Sequence, residues 1–132
     1  MIPNLYRKTI FIISFAVLFT ACSKKSNSEK DNQQPVITLM NPVVNFPLTA
    51  GQPIEINGSI TDNGTIAEVH IHVTNNTTGA KYLDVHLYPA SSSSPFFNND
   101  LIAASGITYK VEIIAIDRAA NEGRIAVTVM CN

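Results

Sequence analysis

The chain has 132 residues, is 45% hydrophobic and 14% charged, and carries a formal net charge of −1 at pH 7. That length leaves room for one domain at most. From residue 35 onward only Lys81, Lys110, Arg118 and Arg124 stand against eight acidic residues, so no basic patch for nucleic acid can be assembled.

The N-terminal stretch carries Arg7 and Lys8, followed by the uncharged apolar run TIFIISFAVLFTA from Thr9 to Ala21. A basic start, a short apolar core and small residues ahead of polar sequence are the layout of an export signal. Spanning a bilayer takes about 20 apolar residues, more than this run offers. Its last residues, FTAC, resemble the lipobox of bacterial lipoprotein signals, with Thr20, Ala21 and Cys22 in the matching places and Phe19 where Leu is more usual. The resemblance implies that residues 1–21 are a cleaved lipoprotein signal peptide and that Cys22 becomes the acylated first residue. Two or three acyl chains meet the requirement for stable anchoring. Ser23, where Asp would signal inner-membrane retention, implies outer-membrane sorting. Cleavage leaves seven basic against ten acidic residues, a net charge of −3. Cys131 then lacks a partner within the chain, so no internal disulfide is expected.

Residues 22–34 are expected to form a flexible tether, because Ser23 to Gln34 contains no apolar residue. Such a coil spans on the order of 20 Å. The folded domain is assigned to residues 35–132. PVITLM is a short apolar run bounded by prolines. IEINGSI alternates through Ile54, Ile56, Gly58 and Ile60, and TDNGT supplies turn chemistry at Asn63-Gly64. EVHIHVT alternates Val69, Ile71 and Val73, and YLDVHLY alternates Leu83, Val85 and Leu87. SSSSP reads as a loose connection and NNDLIAAS as a helical turn or two at most. TYKVEIIAID and RIAVTVM complete the set. About seven short strands with turns between them predict an all-β, antiparallel immunoglobulin-like sandwich.

The segment GITYKVEIIAIDRAANEG resembles the final hairpin of bacterial immunoglobulin-like and fibronectin-like domains. Tyr109, Val111, Ile113, Ala115, Asp117, Ala119 and Asn121 occupy the matching places, with Ala120 where Gly is usual. The opening, PVITLMNP followed by G-x-P-I-x-I-x-G-x-I-x-D, is similar as well. The resemblance implies that Tyr109 bonds back to nearby backbone as a tyrosine corner. It also points to a group of small, single-domain Gram-negative lipoproteins of unassigned function.

All three histidines fall between residues 70 and 86. Val69, Ile71 and Val73 must share a face with Leu83, Val85 and Leu87, since a slip of one residue would expose one set. In an antiparallel pair this sets His70 opposite His86 and His72 opposite Asp84, all on the other face, with Asn76 to Ala80 as the loop. Facing Cβ atoms lie about 4.5–5.5 Å apart, so three imidazoles and a carboxylate can converge on one zinc, copper(II) or nickel ion. The plainer reading is a solvent-facing polar stripe with a His72–Asp84 pair and no surrounding shell.

Asp62 and Asn63 end one strand, while Asp117, Asn121 and Glu122 flank the last turn. An immunoglobulin-like topology brings these loops to one end, where their oxygens could hold Ca²⁺, or could simply satisfy turn backbone. Four N-x-S/T triplets, at Asn57, Asn63, Asn75 and Asn76, read as turn composition. No G-x-S-x-G motif, phosphate loop or paired carboxylate points to catalysis. Tyr82, Tyr88, Phe96 and Phe97 could line a glycan or protein contact or pack in the core. These features predict a non-catalytic cell-envelope binding module with a protein or glycan partner and no required cofactor. The alternative is a metal-binding lipoprotein that uses the histidine face.

Overall fold

The computed structural model describes residues 30–44, 47–98 and 100–132. The signal segment, Cys22 and most of the tether therefore lie outside the described residues. Within them the fold is all-β: β1 (Val36–Asn41), β2 (Ile56–Asn75), β3 (Lys81–Leu87), β4 (Ser91–Asn98), β5 (Thr108–Asp117) and β6 (Glu122–Met130). Every strand pair is antiparallel.

The organising element is β2, which is 20 residues long. Its first part, Ile56 to Thr61, lies between β1 and β4. Its second part, from Val69 on, lies between β3 and β5, Ile66 at the crossover pairs with both Ser91 of β4 and Asp117 of β5, and β6 pairs with the far side of β5. One strand thus serves both sheets of the sandwich. The registers with β4 and β5 shift around Thr61 to Glu68, where the strand changes sheets. The turn expected from sequence at Asn63-Gly64 is accordingly a bend within a continuous strand. SSSSP is likewise no loop, because Ser91–Asn98 is β4 and its Ser94, Phe96 and Asn98 face inward. NNDLIAAS forms no helix among its described residues.

Period-2 alternation drives the core. Ile56 and Ile60 from one half of β2, Val69, Ile71 and Val73 from the other, and Val111 and Ile113 from β5 are fully buried in one cluster. Each such side chain contributes about 1.5–3 kcal/mol relative to exposure. Gly58 continues the inward alternation, but there a Cβ would run into the Thr38 carbonyl oxygen and the Phe96 ring. The residue lets β1 and Phe96 close over the strand. Tyr109 is buried, and its hydroxyl accepts a 2.9 Å hydrogen bond from the Ala104 backbone N–H. Ala120, in the β5–β6 turn, has φ 67°, the left-handed conformation that favours glycine. Cys131 is free and fully buried, so it acts as a packing residue.

Candidate metal centre on the β2–β3 face

β2 and β3 pair Val69 with Leu87, Ile71 with Val85 and Val73 with Leu83. The apolar set turns inward, and the intervening residues are driven to the outer face. His70 therefore faces His86, and His72 faces Asp84. The loop begins at Asn75, whose side-chain oxygen accepts the Thr77 and Thr78 N–H groups, and Gly79 takes φ 74°. That turn fixes the register and hence the face.

The three rings converge. His70 and His86 stack with centroids 4.1 Å apart, and His72 lies 5.6 Å from the first and 6.2 Å from the second. One nitrogen from each ring can be chosen so that all three lie within 4.8 Å of one another. Nitrogens around a tetrahedral zinc ion are about 3.3 Å apart, so modest side-chain rotation would bring them to an ion.

Two carboxylates weave through the rings. Glu68 Oε1 lies 2.7 Å from His70 Nε2 and 3.3 Å from His86 Nδ1. Asp84 Oδ1 lies 2.9 Å from His72 Nε2 and 3.2 Å from His86 Nε2, while its other oxygen meets Lys81 Nζ at 2.5 Å. Glu68 alternates with His70 and His72 on one strand, so the period-2 pattern that exposed the histidines also marks this residue. The two acids supply the surrounding shell that a flat strand pair was expected to lack. The His70 imidazole holds the Glu68 carboxyl below the usual carboxylate range, and the Lys81 ammonium does the same for Asp84.

His70 Nε2 is buried and lies 2.7 Å from Glu68 Oε1, which is its close polar neighbour. At the other cluster Asp62 Oδ1 is buried without a hydrogen-bond partner.

That second cluster lies where β2 changes sheets. Asp62 and Asp117 come together with Asp31, their oxygens within 4.8 Å. Asp31 belongs to the stretch assigned from sequence to the tether, and no local pattern links it to the other two. Its Oδ1 accepts from Asn63 Nδ2 at 3.1 Å, and its backbone oxygen accepts from Asn121 Nδ2 at 3.1 Å. Asp117 is 3% exposed. Burial pushes its carboxyl upward, but hydrogen bonds from the Asn121 side chain and from the backbone around it more than offset this and leave it below the usual range. Asn63 and Asn121 thus enter as donors to these acids. Glu122 is directed to Arg124 at 2.8 Å.

Of the aromatic candidates, Phe96 is in the core, whereas Tyr82, Tyr88 and Phe97 are exposed. A cleft of about 320 Å³, lined in part by Asn41, Pro42, Leu48 and Pro53, shares no residue with either cluster and holds Glu55 as its one titratable group.

No protein-family model matches the sequence, and no curated protein is significantly similar to it. Among solved structures the chain is similar to the fibronectin(III)-like modules of CbhA from Clostridium thermocellum, at 15% identity and TM-score 0.50, over 73% of this chain and 94% of that one. A superoxide reductase (neelaredoxin) from Ignicoccus hospitalis aligns at 13% identity and TM-score 0.51, over 76% and 81% of the two chains. OgpA from Akkermansia muciniphila aligns at 10% identity and TM-score 0.51, over 74% of this chain and 29% of that one. At these identities the likeness shows the fold: an immunoglobulin-like or fibronectin-like sandwich.

Proposed function

We propose that this protein is a non-catalytic metal-binding module of the bacterial cell envelope, anchored by lipid at Cys22. It holds one divalent transition-metal ion with His70, His72 and His86. The observation that carries this reading is the convergence of three imidazoles, one nitrogen of each within 4.8 Å of the others, on one face of a strand pair. Glu68 and Asp84 fit as the groups that orient the ligating rings, a role outer-shell carboxylates commonly take. Zinc, copper(II) and nickel all accept such a donor set. A sandwich fold alone specifies no partner, so the earlier expectation of a protein or glycan ligand rests on less. The basic start, apolar run and FTAC sequence support the envelope assignment.

Titration of the purified protein with Zn²⁺ and Cu²⁺ tests this. One equivalent should bind, and at a hundred times Kd it should raise stability by about 2.7 kcal/mol. His86→Ala should abolish the effect. An equal shift in that variant, or none in the parent, would overturn the reading.

The Asp31–Asp62–Asp117 cluster supports a second reading, a hard-cation site. The buried, unpartnered Asp62 Oδ1 favours it. Ca²⁺ prefers six or more such oxygens. A thermal shift with Ca²⁺ that survives His86→Ala and disappears in Asp62→Asn would separate this site from the first.

A further inference from the structure

The histidine site is one-sided. Glu68, His70 and His72 rise from β2, and Asp84 and His86 from its neighbour β3, so all five side chains leave one face of one sheet. They remain between 18% and 41% exposed. Donors arranged this way can fill only the sheet-side half of an ion's coordination sphere. Sites closed by four protein ligands surround their ion, whereas sites with three keep a position for water or substrate.

The charge of the site is unbalanced in a telling direction. A dication and the Lys81 ammonium face the carboxylates of Glu68 and Asp84, which leaves one positive charge when the imidazoles are neutral. The carboxylates are already engaged with the rings, Glu68 with His70 and His86, Asp84 with His72 and His86. One further negative donor would complete both the charge and the open hemisphere. Resting on the metal reading above, we infer that the loaded site binds a small monoanionic donor from solution on its outward side, next to Lys81. The alternative occupant of that position is one of the two carboxylates, swung from its imidazoles onto the ion.

Azide is the probe, and Cu²⁺ the reporting ion. The purified protein is first loaded with one equivalent of Cu²⁺, and retention is measured by elemental analysis after gel filtration. Azide is then titrated while the ligand-to-metal absorption and the electron paramagnetic resonance spectrum are followed. A saturable one-to-one spectral change is expected. Lys81→Gln, loaded to the same measured copper occupancy as the parent, should bind azide about tenfold more weakly, because one nearby positive charge is lost. Retained copper with a spectrum indifferent to azide would overturn the inference and mean that the protein closes the sphere itself. Azide affinity unchanged in Lys81→Gln would overturn the placement beside Lys81. Failure to retain copper at all would overturn the metal reading, and this inference with it.

Discussion

His70 and His86 stack across the β2–β3 pair with ring centroids 4.1 Å apart and planes inclined by 25°. Glu68 Oε1 approaches a nitrogen of each, at 2.7 Å and 3.3 Å. The stack brings two imidazoles to one place, and a single carboxylate holds both. Two neighbouring strands in fixed register are enough to build this arrangement.

Glu68→Gln should therefore weaken metal binding by about 10–100-fold while leaving the fold intact, the usual effect of removing an outer-shell carboxylate. Isothermal titration with Zn²⁺ checks this, with circular dichroism to monitor folding. Unchanged affinity would mean that Glu68 only pairs charge on the surface.

Asp117 gives the pH dependence of stability. Its folded pKa lies below the ordinary Asp value of about 3.9, so near that value the unfolded chain binds protons more readily than the folded one. Its stabilising contribution is complete above the unfolded pKa and is lost as pH falls through the folded one. Thermal unfolding in the absence of added metal should thus fall more steeply below about pH 4 in the parent than in Asp117→Asn. Parallel curves would assign the acid sensitivity to other groups.

Ala120→Gly should stabilise the domain by about 0.5–1 kcal/mol. The left-handed conformation costs a non-glycine residue about 1–2 kcal/mol, and the extra chain entropy of glycine offsets part of the gain. Urea unfolding measures the difference, and a loss of stability would show that the Ala120 methyl group makes contacts worth more than the strain.

Tyr109→Phe removes the acceptor for the Ala104 N–H and should cost about 1–3 kcal/mol. A near-neutral result in the same unfolding experiment would mean that water replaces the hydroxyl in the variant.

What could be read in advance depended on whether alternation was unambiguous. Val69–Val73 and Leu83–Leu87 each alternate without a break, so the pairing of His70 with His86 followed from burial alone. β4 was illegible because a serine run shows no apolar period; only Ser94, Phe96 and Asn98 mark its inner face. Asn63-Gly64 carried a genuine turn signal, but the flanking segments of β2 take different partners, so the chain bends from one sheet to the other without reversing. Glu68 was legible in principle, two positions before His70 on the same face. Asp31 was not, because its partners Asp62 and Asp117 are brought to it by tertiary packing, which no local period encodes.

Because β2 is hydrogen-bonded to β1 and β4 in one half and to β3 and β5 in the other, neither sheet can detach while the other stays whole. Amide protons in both sheets should then exchange through one shared opening, without a separable subglobal unit for each sheet. Asp62 and the pair His70 and His72 sit on this same strand. An ion held at either cluster would therefore slow exchange far beyond its own ligands, across both layers of the domain.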